Sequence, residues 1–333
     1  MTAIEQRVSV VMLTHNRREE ALYSLARLHA LPERVPVYLV DNGSTDGTAQ
    51  AVRERFADVR IVRLERNAGA AGRNAGVKAA RTPYIAFCDD DTWWAAGSYA
   101  RAVEVFDAHP RLAAITGKVL VGREQREDEA SLRMAASPLS NELGVPGTQV
   151  LGLMAGACIV RREAYLAAGG YEARLFIGGE ELLLALDLMS AGWAMAYLPD
   201  IVVHHHPSLV RDTAARRRMH HRNALWCAWL RRRWPGVLRE TWRLLGLSVR
   251  NRALALGVLD AMKGLPWALS RRTPVPLHVE QALQRVHEFY AGNWAQRPFG
   301  TLGACRVPPF GRGRCRARTA YVIRFGRCSA TPS

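Results

Sequence analysis

Three consecutive aspartates, Asp89, Asp90 and Asp91, follow an apolar run that spans residues 84–88. Carboxylates this close repel one another, and holding them together costs free energy unless a positive group lies between them. Hard divalent cations such as Mn²⁺ and Mg²⁺ prefer carboxylate oxygens, so the triplet is a candidate cation site. The alternative is a solvated acidic turn, because short runs of charge are usually solvated.

Apolar strands alternate with helical segments through the N-terminal part of the chain. Strands are predicted at Val8–Leu13, Val35–Val40, Arg60–Leu64 and Tyr84–Cys88. This alternation, with short connections, is typical of a doubly wound α/β fold with a parallel sheet. Ligands of such sheets bind beyond the carboxyl ends of the strands. Thr14-His15-Asn16, Asp41 and the aspartate triplet all follow strands, so we expect them to meet at one edge of the sheet and to bind a ligand there.

Helix starts and later elements are also predicted. Asn16 and Glu19 resemble a capping box for the first helix, and Asp46 is placed to cap the second, roughly Thr48–Phe56. The polar segment Arg123–Gly147 is predicted to be a mobile loop. The remaining predicted elements are strands at Leu112–Val121, Ala155–Arg161, Ala194–Leu198 and Ile201–His205, and a helix at Glu180–Ser190.

Six segments, taken in order, carry a family resemblance. They are THNR (14–17), DNGSTDGT (41–48), NAGAAGRNAG (67–76), CDDD (88–91), GACIVRREAYLAAGGYE (156–172) and GGEELLLALDLMSAGW (179–193). Together they resemble the family 2 glycosyltransferases with a GT-A fold, over roughly residues 8–206. The resemblance implies a Rossmann-like, mostly parallel sheet flanked by helices, and inverting transfer from a nucleotide-diphosphate sugar. It favours a UDP-sugar as donor and a hydroxyl of a glycan or lipid-linked saccharide as acceptor.

The resemblance assigns the acidic triplet to the donor diphosphate. Following the family's DXD pattern, Asp91 would bind a divalent cation, Mn²⁺ or Mg²⁺, and Asp89 would lie nearer the ribose. His206 is the candidate for a further metal ligand, with a structural histidine as the alternative. Asp41 resembles the acceptor of the nucleobase imide, with a turn cap as the alternative. The expected nucleotide-sugar ligands are Thr14, Asn16, Asp41, Asn67, Gly69, Arg73, Asn74, Asp89 and Asp90, and the expected metal ligands are Asp91, Asp89 and His206.

Two acids begin the predicted helix at residues 180–190. An inverting transfer needs a general base to deprotonate the acceptor hydroxyl, and the resemblance gives this role to Glu181, with Glu180 as the second candidate. Leu183 occupies the position where the family usually has a second acid, and Asp187 stands where Arg is common. The identity of the base therefore stays open. Alternatively, both glutamates only stabilise the helix N-terminus.

The net charge of +16 is concentrated late in the chain. Residues 211–243 hold ten arginines and two acids, and residues 297–333 hold eight arginines and no acid, which together account for the whole excess. We therefore predict a GT-A domain at 1–206, a basic helical extension at 207–296 and a disordered basic tail at 297–333. The Arg- and Trp-rich extension is either a solvated face or a surface for anionic lipid, with Trp226, Trp229, Trp234 and Trp242 at headgroup depth. Nucleic acid is not an expected partner.

Compartment and alternative functions follow from the rest of the sequence. No apolar leader follows Met1 and no CxxC pair is present, which favours a cytoplasmic protein. The lipid interpretation would place it on the inner face of the plasma membrane. The alternative to an active enzyme is a catalytically weakened GT-A domain that binds nucleotide sugar as a scaffold or regulator. A nucleotidyltransferase is disfavoured, because THNRREE is not a Gly-rich basic loop.

Overall fold

A computed structural model describes residues 3–141, 144–207, 213–249 and 251–293, and the predicted tail at 297–333 lies outside these ranges. The strands are β1 (Val8–Thr14), β2 (Val37–Asp41), β3 (Arg60–Arg63), β4 (Tyr84–Asp89), β5 (Thr92–Trp94), β6 (Leu112–Val121), β7 (Arg126–Glu127), β8 (Thr148–Gln149), β9 (Cys158–Arg161) and β10 (Ala194–His205). The helices are α1 (Arg18–His29), α2 (Thr48–Arg55), α3 (Arg73–Ala79), α4 (Ser98–Ala108), α5 (Glu129–Ala135), α6 (Arg162–Ala167), α7 (Glu180–Ser190), α8 (Ala214–Arg231), α9 (Trp234–Ser248), α10 (Arg252–Lys263), α11 (Leu265–Ser270) and α12 (Leu277–Asn293).

One sheet runs through the α/β part in the order β3-β2-β1-β4-β9-β6-β10-β5. The first four strands are parallel to one another, and β6 is parallel to β10. Strand β9 is antiparallel to both β4 and β6, and β5 is antiparallel to β10. The predicted α/β class is confirmed, with a mixed sheet in which these reversed strands were not foreseen.

The register of the parallel strands aligns the polar segments predicted to meet. Thr14 is opposite Asp41 across β1 and β2, and Leu13 is opposite Asp89 across β1 and β4. The central residues of β1 and β4 are mostly apolar and buried, and they contribute to the hydrophobic cores on both faces of the sheet. Their polar ends therefore come out at one edge of the sheet, as the sequence predicted.

Three predicted elements differ in detail. Asn16 does not cap α1. Its backbone has φ 52°, and its side chain accepts a hydrogen bond from the Thr45 N–H. The Arg18 N–H at the start of α1 donates to Asp46 Oδ2 instead. Asp46 does accept from the Thr48 N–H, as predicted for the second helix. The segment at 123–147 contains β7 and α5 in its described part. The two strands predicted around Pro199 are one strand, β10, with a register shift between Leu198 and Val202.

Helices α8–α11 form a small core with α7, whereas α12 packs into the core of the α/β part. Trp226 and Trp229 are buried in the small core, so their predicted place at headgroup depth is wrong, whereas Trp234 and Trp242 are 59% and 70% exposed. An ion pair between Arg231 and Asp187 joins α8 to α7. Among the helices that the structure describes, none combines the length and the hydrophobicity that a membrane span requires.

Candidate active site

The carboxyl end of β2 holds a buried carboxylate with one open acceptor. Asp41 is fully buried, and its Oδ1 accepts the Ser44 N–H at 2.9 Å. Its Oδ2 accepts no hydrogen bond from any described residue, although Arg63 Nε lies 3.6 Å away. A buried acceptor without a donor costs free energy unless a ligand supplies one. Asp41 is therefore arranged to receive an N–H group.

The loops next to Asp41 are held by side-chain amides. Asn42 donates from Nδ2 to Asn67 Oδ1 and to the Gly69 carbonyl, both at 3.0 Å, and its Oδ1 accepts the Ala68 N–H. The Asn16 backbone N–H donates to Ser44 Oγ at 3.0 Å. The predicted ligands Asn16 and Asn67 thus shape the loops around the pocket, and Asn42, which was not on the predicted list, links them.

The acidic triplet carries its own counter-charges. Arg17 Nη1 lies 2.8 Å from Asp90 Oδ1 and 3.2 Å from Asp91 Oδ2, and Arg73 is paired with Asp89. Positive groups therefore do lie beside the carboxylates, as their repulsion requires. Sequence reasoning missed Arg17, although it is the residue that directly follows Asn16 in the THNR segment.

The three aspartates differ in exposure and so in chemistry. Asp90 is buried and accepts from Thr14 Oγ1 at 3.0 Å, and burial raises its pKa to about 6 against the lowering effect of Arg17. Asp91 is also buried, whereas the Asp89 side chain is 40% exposed. Asp89 is therefore the member of the triplet most open to solvent, while Asp90 and Thr14 form part of the support behind it.

A histidine lies beside Asp91, but it is not the one predicted. His205 Nε2 is 3.6 Å from Asp91 Oδ1, and burial lowers the pKa of His205, which keeps the imidazole neutral and able to bind a metal. His206 is exposed and contributes its backbone N–H to the Asp91 carbonyl. The predicted side-chain role of His206 stays a prediction.

A divalent cation fits this edge only if the ligand completes its coordination. Among the described residues, no cluster of three or more His, Cys, Asp or Glu side chains is arranged to hold a metal. Asp91 and His205 supply one carboxylate and one neutral imidazole, and in nucleotide sites one or two protein ligands are commonly joined by phosphate oxygens. The donor set is thus suited to a cation that is shared with a diphosphate.

The glycine-rich segment approaches protein rather than open space. Gly69 has φ +62°, and a Cβ there would lie 2.1 Å from the Phe176 carbonyl oxygen, which accepts the Ala70 N–H at 2.7 Å. Arg73 is buried against Asp89 at the start of α3. Asn74 receives hydrogen bonds from the Tyr165 hydroxyl and the Tyr171 N–H, so in this structure its amide holds a turn.

The two glutamates lie at the first turn of α7, as predicted. Burial raises the pKa of both, and Glu180 raises the pKa of Glu181 further. Glu181 Oε1 accepts the Ala155 N–H at 2.5 Å, and Glu180 Oε2 accepts no hydrogen bond from the described residues. A carboxylate with a raised pKa is a stronger base than an exposed one, so either glutamate is suited to remove a proton from a hydroxyl.

The segment before these glutamates is clamped by α8. Asn223, fully buried, donates from Nδ2 to the carbonyls of Leu175, Ile177 and Gly178 at 2.7, 3.1 and 2.5 Å. Phe176 within this segment has φ 63°. No motif marks Asn223 in the sequence, since the contact joins positions far apart in the chain.

Comparison with known proteins gives this site its context. The model of the family described as glycosyl transferase family 2 matches residues 9–167. Residues 9–167 thus carry a glycosyl transferase family 2 domain. The chain is also similar to the N-acetylglucosaminyl-diphospho-decaprenol L-rhamnosyltransferase of Mycobacterium tuberculosis, with 29% identity over 251 residues that cover 64% of this chain and 81% of the relative.

Solved structures establish the GT-A fold of this glycosyltransferase. The mannosyltransferase PcManGT from Pyrobaculum calidifontis, in complex with GDP-Man and Mn²⁺, has a TM-score of 0.50 at 18% identity and covers 87% of this chain and 88% of its own. TarS of S. aureus, in complex with UDP-GlcNAc, has a TM-score of 0.53 at 15% identity and covers 87% and 92%. These neighbours hold different nucleotides, so the fold does not select one.

Proposed function

We propose that this glycosyltransferase is an inverting enzyme in which Glu181 is the general base. The supporting observation is that Glu181 lies at the first turn of α7 with a raised pKa, held by the Ala155 N–H. Glu181 removes the proton of the acceptor hydroxyl as that oxygen attacks the anomeric carbon, and the nucleoside diphosphate leaves from the opposite face. Glu180 is the second candidate for this role.

The donor we propose is a UDP-sugar. Asp41 Oδ2 is the open acceptor, whereas Oδ1 already receives the Ser44 N–H. Uracil presents a single ring N–H between two carbonyls, which matches one open oxygen. Guanine presents two adjacent donors and fits a carboxylate best when both oxygens are open. Asp89, the most exposed aspartate, is proposed to lie near the ribose, and Arg73 to act through Asp89.

We propose Mn²⁺ or Mg²⁺ as cofactor, held by Asp91 with His205 or His206. Such a cation, when bound, stabilises the negative charge of the departing diphosphate. Arg17 and Arg73 lie among the three aspartates and offset much of their negative charge. The anionic donor therefore meets a sheet edge whose net charge is close to zero.

A thermal-shift screen of nucleotide sugars, with and without Mn²⁺, tests donor and cation together, because a ligand that binds the folded state raises the melting temperature. The expected result is a shift with UDP-sugars that Mn²⁺ increases. Asp91→Asn keeps the side-chain shape and should abolish the Mn²⁺-dependent part, while the exposed control Asp58→Asn should not. A Mn²⁺ effect that survives in Asp91→Asn would refute the proposed ligand.

The acceptor is proposed to be a growing glycan or a lipid-linked saccharide in polysaccharide biosynthesis. The rhamnosyltransferase relative acts, by its name, on a diphospho-decaprenol-linked sugar. We propose that this reaction is carried out by the α/β domain at 1–206 together with the helical extension at 207–296. The proposed location is the cytoplasm.

We further propose that α9 binds an anionic membrane surface from the cytoplasmic side. Trp234, Leu238 and Trp242 are all more than half exposed and recur every four residues, so they form one apolar stripe on the helix. Arg239 and Arg243 are exposed beside the stripe, which suits anionic headgroups.

Vesicle co-sedimentation tests this surface. Trp242→Glu should reduce binding to vesicles that contain phosphatidylglycerol, with little loss of stability because the side chain is 70% exposed. Leu132→Glu, at an exposed apolar position on α5, is the matched control and should bind like the unmodified chain. Equal binding by both variants would contradict the proposed surface.

The weakened, donor-binding domain remains the second candidate function. The observation that favours it is Leu183, which stands where the family carries a further acid in α7. Calorimetric binding of a UDP-sugar without turnover over a broad acceptor panel, and without slow donor hydrolysis, would favour this function over catalysis.

A further inference from the structure

A basic cleft of about 740 Å³ lies between α7 and the helical extension. Its walls come from the segment before α7, from the end of α8 and from the residues between α11 and α12. The charged and aromatic residues that line it are Glu172, Arg174, Arg231, Arg271, Arg272 and Trp267. Four guanidinium groups and only one carboxylate line this cavity, so it attracts anions, because charges of one sign around a partly enclosed space focus the electric field.

Two of the four arginines are committed to the fold. Arg231 is paired with Asp187, and Arg272 donates to the carbonyls of Trp229 and Arg232. The other two, Arg174 and Arg271, are exposed, and neither pairs with a carboxylate within the residues that the structure describes. Arg174 stacks on Trp267 at 4.8 Å, which holds its planar fork in place. The cleft therefore offers a ligand two guanidinium groups, of which that of Arg174 is held in place by Trp267.

The position of the cleft connects the catalytic helix with the apolar stripe of α9. Leu183, on the same helix as Glu181, forms part of its wall. Arg272 stacks on Trp234 at 4.3 Å, and Trp234 is the first residue of the stripe. Leu183 is also the position where the resembling family places an acid. A carboxylate there would repel an anion, so its replacement by leucine suits the charge of the cleft.

We propose that this cleft binds the phosphate groups of a phosphate-linked acceptor, with the saccharide directed toward α7 and the lipid part toward α9. This inference rests on the proposed glycosyl transfer to a lipid-linked saccharide and adds the subsite that holds the linker. Arginine guanidinium groups bind phosphate oxygens in a bidentate manner, whereas a neutral saccharide would gain little from the charges of Arg174 and Arg271.

The direct test uses inorganic pyrophosphate as the probe. Calorimetry is carried out with saturating UDP, so that the nucleotide site is blocked and only a second site is measured. We expect pyrophosphate to bind the unmodified chain and to bind the double variant Arg174→Gln/Arg271→Gln at least about tenfold more weakly, which corresponds to about 1.4 kcal/mol. The control Arg53→Gln/Arg123→Gln removes two other exposed arginines and should leave the affinity unchanged.

Kinetics separate this proposal from the proposed function. Arg174→Gln/Arg271→Gln should raise KM for a diphosphate-linked acceptor about tenfold or more, and leave donor hydrolysis and KM for a phosphate-free saccharide unchanged. If the unmodified enzyme neither hydrolyses nor transfers from any donor, the proposed function fails, while pyrophosphate binding still judges the cleft. Unchanged pyrophosphate affinity in the double variant overturns the cleft proposal. So does a variant that loses only binding to phosphatidylglycerol vesicles, because the arginines would then serve lipid headgroups.

Discussion

Replacing Asn223 by alanine should disable catalysis by a route that a simple loss of stability does not explain. Its side-chain amide is the donor for the carbonyls of Leu175, Ile177 and Gly178, directly before the glutamates of α7. Buried hydrogen bonds contribute about 1 kcal/mol each, so the variant should lose about 2–4 kcal/mol of unfolding free energy. A catalytic group displaced by about 1 Å costs about 100-fold in rate, which is the loss of kcat we expect.

The matched control is His221→Ala, two residues earlier on α8. His221 is also buried, and its Nε2 contacts the Leu244 carbonyl and Ser248 Oγ inside the extension, away from α7. Removing it should cost a similar unfolding free energy and leave kcat close to normal. Both variants are compared by urea denaturation and by the rate of donor hydrolysis, at a temperature where both are folded. Equal kcat values would refute the claim that Asn223 positions the glutamates.

Two further predictions follow from the same region. Glu181→Gln should lower kcat by about 10²–10⁴ with the donor KM unchanged, since it removes only the base. In the unmodified enzyme kcat should fall as the pH drops through the pKa of Glu181, which burial raises above the ordinary carboxyl range. If Glu180→Gln lowered kcat more than Glu181→Gln does, Glu180 would be the base. Gly69→Ala should destabilise by about 2 kcal/mol more than Gly97→Ala, because both glycines have positive φ but only the Cβ at 69 meets a carbonyl, at 2.1 Å. Equal urea midpoints for the two would show that the Phe176 loop moves freely.

The position of the site could be predicted from the sequence because strand ends carry it. Apolar runs followed by Asp41 and by the aspartate triplet define the edge of a parallel sheet, and the observed register of β1 with β2 and β4 confirms that edge. The helix that begins at Glu180 was also predicted with its bounds, since the two glycines before it permit the turn. Local pattern was sufficient wherever one strand or helix decided the outcome.

The partners of these residues could not be predicted, because they depend on contacts between distant segments. Arg17 lies in a recognisable segment, but its pairing with Asp90 and Asp91 requires the loop geometry after β1. The capping of α1 by Asp46 in place of Asn16 arises in the same way, from a neighbouring loop. The burial of Trp226 depends on five helices packing together, which an Arg-rich composition does not reveal.

The ion pairs of the aspartate triplet have a consequence for how a metal would arrive. Because Arg17 bridges Asp90 and Asp91, a divalent ion at Asp91 would bind a carboxylate whose negative charge is already partly balanced through Oδ2. Such a carboxylate attracts a cation less strongly than a bare one does. Free metal should therefore bind weakly to the resting enzyme, and the ion should enter already chelated by the donor. Occupancy of the cation site would then depend on the concentration of the donor.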